Sequence, residues 1–126
     1  MKIAKTILLV DDDEKLLRSF ERHFSDSEFE ILTAISAAEA LVLLNHASVD
    51  AIVSDNQMTG TNGTRLLATV SKKYPHVLRY MLTGDISKSQ AWLVENEIGV
   101  CRLFEKPCEP QTILSVIEAQ LAANAE

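Results

Sequence analysis

Cysteine, proline and glycine are all scarce here, and each scarcity removes a class of protein. The 126 residues hold two cysteines, Cys101 and Cys108, with no histidine near either, so a zinc site does not fit. Reduced thiols in a cytoplasmic protein are the expectation. With three prolines and four glycines, and no repeat or low-complexity stretch, nothing divides the chain, and residues 1–126 are expected to form one domain. Long apolar runs are missing too. Met1-Lys2-Ile3-Ala4-Lys5 leads into Ile7 to Val10, far too short for a signal-peptide core or a membrane span, so neither a leader nor a membrane partner is expected. Basic charge is the last shortage: Lys and Arg number 12 against 18 Asp and Glu, giving net charge −6. No helix carries a basic stripe, which argues against direct nucleic-acid binding.

What is present is the composition of an ordinary folded domain, 47% hydrophobic and 24% charged. Short apolar runs alternate with helical patterns. Thr6 to Val10 is β-rich and unbroken, as in a strand buried on both faces. Asp13 is placed to cap a helix whose Leu16, Leu17, Phe20 and Phe24 recur at helical spacing. Phe29 to Ala34 reads as a second strand, and Ser36 as the cap of a helix with Ala40, Leu41 and Leu44 on one side. Ala51 to Ser54 is a third strand ending at Asp55, followed by a Gly60- and Gly63-containing loop and a helix from about Thr64 to Lys73, broken by Pro75. Val77 to Leu82, Ile86 to Glu95, Val100 to Phe104 and a helix from about Pro110 complete the pattern, the last placing Ile113, Leu114, Ile117 and Leu121 inward. Repeated β-then-α units imply a parallel sheet covered by helices on both faces. The pattern does not fix the strand order.

The polar residues then fall in one place. Asp11-Asp12, Asp55, Thr83 and Lys106 all sit at or just beyond the carboxyl ends of expected strands. In an open parallel sheet that edge binds ligands. Three carboxylates gathered there repel one another, and a hard divalent cation relieves the repulsion. A lysine and a threonine hydroxyl can hold an anion beside such a cation. Together these groups suit phosphoryl transfer, which is mostly positioning and charge neutralisation. Each piece alone has a structural explanation: a helix cap, a turn, a surface Lys-Pro. Their order and common placement carry the reading.

Ile7-Leu8-Leu9-Val10-Asp11-Asp12-Asp13, Asp55-Asn56-Gln57-Met58 with Gly60 and Gly63, Thr83-Gly84 and Lys106-Pro107 resemble the receiver domains of bacterial response regulators, over residues 5 to 123. The resemblance implies a flavodoxin-like doubly wound (βα)5 fold with a five-stranded parallel sheet in the order 2-1-3-4-5. It makes Asp55 the phospho-acceptor for a sensor histidine kinase or histidine phosphotransfer protein. It makes Asp12 a direct ligand of Mg²⁺ or Mn²⁺, Asp11 a ligand through water, and the Gln57 backbone carbonyl a further ligand beside Asp55. Thr83 and Lys106 would contact phosphoryl oxygens, and the Lys106–Pro107 bond would be cis. The activity implied is self-phosphorylation and autodephosphorylation, not turnover of a separate substrate, with Gln57 and Asp85 flanking the path of the attacking water. The face of the fourth helix, fifth strand and fifth helix would change shape, signalling to an effector domain or downstream protein, and would be the surface of any homodimer.

Three positions depart from the family pattern. Leu103 stands three residues before Lys106 where an aromatic is usual, and strand alternation points neighbouring Phe104 to the other face. Thr59 replaces a usual proline, and Cys108 a bulkier residue, which suits packing better than redox sensing. Leu103 leaves room for an alternative, an interaction module of the same fold that works without phosphorylation. A phosphohydrolase of the haloacid-dehalogenase kind is a third reading, since Asp11-Asp12-Asp13 contains Asp-x-Asp, but Lys15 stands where that motif needs Thr or Val. Asn124-Ala125-Glu126 falls where a receiver's last helix usually ends, so the chain is expected to be a single-domain regulator or the N-terminal part of a longer one. Arg79 to Gly84 faintly resembles receivers joined to cyclic-di-GMP phosphodiesterase domains.

Overall fold

The computed structural model describes residues 5–56 and 63–124. Strands and helices alternate along the chain: β1 (Thr6–Val10), α1 (Glu14–Phe24), β2 (Glu30–Ala34), α2 (Ala37–His46), β3 (Ala51–Asp55), α3 (Gly63–Lys73), β4 (Leu78–Thr83), α4 (Ile86–Glu95), β5 (Arg102–Glu105) and α5 (Pro110–Asn124). The five strands are parallel in the order β2-β1-β3-β4-β5. That is the doubly wound (βα)5 arrangement expected. The order reverses between β1 and β3, which opens a crevice beyond their carboxyl ends.

Strand alternation sends each residue to one of two cores. Leu8, Val10, Ile52 and Met81 face α2, α3 and α4, where Ala40, Leu44, Leu67, Val70 and Leu93 meet them. Ile7, Leu9, Val53, Tyr80 and Phe104 face α1 and α5, against Leu17, Phe20, Phe24, Ile113 and Ile117. Burying a large aliphatic side chain of this kind contributes about 1.5–3 kcal/mol. The central strands are therefore apolar on both sides, and polar groups are driven to their ends. Leu16, Leu41 and Leu121, expected inward, are only partly buried at the margins of these cores.

Local signals set the helix starts. Asp13 accepts hydrogen bonds from the Lys15 and Leu16 N–H groups, and Ser36 accepts from Glu39 N–H. Three strands start later than the apolar pattern suggests: β2 at Glu30 rather than Phe29, β4 at Leu78 rather than Val77, and β5. The Val77 N–H bonds to the Tyr74 carbonyl in the turn before β4. β5 begins at Arg102 rather than Val100, because the chain emerges from α4 through Glu97 in the left-handed region (φ 54) and joins the sheet only where Cys101 N–H reaches the Arg79 carbonyl at 2.6 Å. Leu103 faces the α4 side, half-buried beside Leu93, and Phe104 the α5 side, stacked on Tyr80 at 5.9 Å between centroids. No helix among the described residues is long and apolar enough to cross a membrane.

Candidate functional site

The strand register brings the expected residues to one edge. Val10 is level with Ser54, so Asp11 and Asp55 extend side by side from β1 and β3. Thr83 ends β4, and Lys106 follows β5 after a backbone bond from its N–H to the Thr83 carbonyl at 2.8 Å. The Lys106–Pro107 peptide is cis.

Asp11, Asp12 and Asp55 each offer a carboxylate oxygen within 4.8 Å of the others. Asp11 and Asp55 are buried, and Asp12 is exposed at the mouth. Asp11 Oδ1 accepts from Asp13 N–H at 2.9 Å, which fixes the carboxylate's orientation. Its Oδ2 is buried without a hydrogen-bond partner. Lys106 Nζ lies 3.6 Å from that oxygen and 2.8 Å from Asp55 Oδ1. Burial raises the Asp11 pKa, and the neighbouring Asp55 and Asp12 charges add to the rise against the Asp13 hydrogen bond and Lys106. For Lys106, burial lowers the pKa, but the hydrogen bond and charge of Asp55 and the charge of Asp11 outweigh it and leave the ammonium above its ordinary value.

A buried carboxylate oxygen left without a donor, among three clustered carboxylates and one ammonium, is a donor set that suits a hard divalent cation. Magnesium and manganese fit it equally in chemistry. Gln57, Thr59 and Gly60 lie outside the described residues. Gly63, at the start of α3, packs so closely under β3 that an added Cβ would overlap the Asp55 carbonyl and sit 2.9 Å from Ser54 Oγ.

Thr83 is fully buried, and its hydroxyl faces α4, with Ser89 Oγ at 2.8 Å. Asp85, expected beside an attacking water, serves here as the cap of α4, accepting from Lys88 N–H. The partners Asn56 and Ser89 were not legible as site residues. A serine on the inner side of α4, where an apolar residue would ordinarily sit, is the signal that could have found Ser89.

Fold and site together define a class: doubly wound α/β domains with an acidic, lysine-flanked crevice at the carboxyl edge. Residues 7–118 match the response regulator receiver domain family, and the chain belongs to it. The resemblance read from the motifs is thereby established, and the protein is a receiver domain of two-component signalling. It is 32% identical over 119 residues to the hydrogenase transcriptional regulatory protein HoxA of Cupriavidus necator, covering 94% of this chain and 24% of that protein. It is 31% identical to the transcriptional regulatory protein GlrR of Escherichia coli, covering 94% and 27%. The chain thus spans about a quarter of the length of these relatives. Among solved structures, a CheY-like receiver domain protein from Methanospirillum hungatei superposes with TM-score 0.87 at 27% identity, over 96% of both chains. The signal receiver domain of an HD domain-containing protein from Pseudomonas fluorescens gives 0.86 at 29%, over 98% of this chain and 90% of that one.

Proposed function

We propose that Asp55 accepts a phosphoryl group from the phosphohistidine of a sensor histidine kinase or histidine phosphotransfer protein, and that the acyl phosphate changes the surface formed by α4, β5 and α5. The observation that carries this is the Asp55 carboxylate itself: buried at the switch point of the sheet, 2.8 Å from Lys106 Nζ and clustered with Asp11 and Asp12. An Asp55 oxygen attacks phosphorus, the phosphorus–nitrogen bond breaks, and the imidazole leaves with the electron pair. Lys106 follows the charge from the carboxylate to a phosphoryl oxygen. Thr83 turns its hydroxyl from α4 to another. Phosphorylation adds roughly −1.5 to −2 charge and three acceptor oxygens, enough to reorder the groups that face it.

Asp11, Asp12 and Asp55 would hold Mg²⁺ or Mn²⁺, with the Gln57 carbonyl as a further ligand in the same proposal. When bound, that ion supplies neutralising charge for carboxylate and phosphoryl oxygens. Reversal is hydrolysis by water, with Asp85 and Gln57 beside its path. The partner surface belongs to an effector domain or downstream protein, since the transcriptional regulatory relatives are several times longer than this chain. Residues 1–126 then act as the receiver unit, alone or as the N-terminal part of a longer regulator, and α4-β5-α5 is its homodimer surface if it pairs. With net charge −6, the domain itself makes no nucleic-acid contact.

Leu103 favours a second reading, a module of this fold that binds partners without phosphorylation, because no ring stands there to turn inward. Intact mass separates the two. Acetyl phosphate with Mg²⁺ is expected to give one phosphoryl adduct on wild type, lost without metal and in Asp55→Asn. No adduct, together with no beryllofluoride binding by a folded, Mg²⁺-bound sample, favours the second reading.

A further inference from the structure

Ser89 is a buried polar residue that the phosphoryl chemistry leaves unused. It lies on the inner side of α4 with 6% of its surface exposed, and its Oγ is 2.8 Å from Thr83 Oγ1. Three other bonds meet at this pair. Asn56 Nδ2 approaches Ser89 Oγ at 3.4 Å, while Thr83 Oγ1 accepts from Asp85 N–H at 3.0 Å and donates to the Asp85 carbonyl at 3.2 Å.

Counting protons fixes the direction of the chain. Each hydroxyl has one hydrogen to give and two lone pairs to receive. Thr83 gives its hydrogen to the Asp85 carbonyl and receives from Asp85 N–H and from Ser89. Ser89 therefore donates to Thr83 and receives from Asn56. The sequence Asn56 to Ser89 to Thr83 to Asp85 runs one way, so each bond polarises the next. One end is the residue after the acceptor Asp55, and the other is the cap of α4.

We propose that Ser89 is the positioning residue that holds Thr83 turned toward α4 in the unphosphorylated protein, and that breaking this hydroxyl pair transmits phosphorylation to α4. The inference rests on the reading of Asp55 as the acceptor. When Thr83 gives its hydrogen to a phosphoryl oxygen, the Asp85 carbonyl loses that donor and Ser89 loses its acceptor. Ser89 still receives from Asn56, but a buried hydroxyl hydrogen without an acceptor costs more than the bond was worth, so the first turn of α4 must move to satisfy it. Leu93, one turn further on, packs in the same core as Leu103, so this shift reaches β5 without an aromatic side chain.

The test is beryllofluoride binding in the presence of Mg²⁺, measured by titration calorimetry and by Trp92 fluorescence; Trp92 borders the same cleft as Asn56, Ser89 and Asp85. Ser89→Ala removes a bond made only in the unphosphorylated orientation, so affinity is expected to rise about fivefold, the size of one net hydrogen bond. A purely structural role would lower affinity instead. In a Thr83→Ala background the same change is expected to do nothing, because its partner is gone. Unchanged or weakened binding by folded Ser89→Ala, with wild type binding normally, overturns the role of Ser89 alone. Absence of Asp55-dependent binding by wild type, with no phosphoryl adduct, overturns the acceptor assignment and this inference with it.

Discussion

Lys106 Nζ stands 2.8 Å from Asp55 Oδ1 and 3.6 Å from Asp11 Oδ2, so one ammonium lies between two buried carboxylates. In the proposed reaction that charge and a divalent cation compete for the same oxygens while both assist the incoming phosphoryl group. Lys106→Met is therefore expected to tighten Mg²⁺ binding severalfold by calorimetry. The same variant is expected to slow phosphorylation by acetyl phosphate at least about tenfold, because charge stabilisation at the transferring group is lost. Weaker Mg²⁺ binding in the variant would show instead that the lysine props the carboxylates in place.

Asp11 is the strained member of the acidic cluster. Its folded pKa is raised from 3.8, chiefly by burial, so the folded chain binds this proton more tightly than the unfolded chain. The destabilising effect is absent below that ordinary value and grows as pH rises through the folded pKa. Metal-free protein is expected to lose this increment of stability on going from acid to neutral pH. Asp11→Asn should remove that slope and raise neutral-pH stability by about 1 kcal/mol, read by urea denaturation in EDTA. A less stable variant with the slope intact would sink the idea.

Gly63 sets how close α3 can come to β3. A Cβ there overlaps the Asp55 carbonyl, and backbone cannot move aside as a flexible side chain can. Gly63→Ala is expected to cost about 2 kcal/mol in denaturant unfolding and to weaken Mg²⁺ binding by displacing Asp55. Wild-type stability would show that the helix start shifts freely.

The two cysteines should differ in reactivity. Cys101 is exposed, whereas Cys108 is partly covered and burial raises its thiol pKa. Maleimide labelling followed by peptide mapping is expected to modify Cys101 first at neutral pH. Faster labelling of Cys108 would contradict its reading as a packing residue.

Much of this was legible because strand ends and chemistry coincide. Apolar runs on both faces of β1, β3 and β4 leave only their ends for Asp11, Asp55 and Thr83, and that constraint is written in one dimension. The strand order was not, since nothing in the pattern of Ile7 to Val10 or Ala51 to Ser54 says which strands are neighbours; it came from the family resemblance. Ser89 was hidden for a related reason. Its role depends on the rotation of α4 over Thr83, a relation between helix and strand that spacing within Ile86–Glu95 does not encode. The late start of β5 depends likewise on the Cys101–Arg79 backbone bond.

In the proposed function Asp55 carries the phosphoryl group. Borohydride reduction after incubation with acetyl phosphate and Mg²⁺ traps an acyl phosphate as an alcohol, and peptide sequencing by mass then locates it. Reduction is expected at Asp55 alone, dependent on Mg²⁺. Trapping at Asp11, Asp12 or another carboxylate, with Asp55 intact, would rule Asp55 out as the acceptor.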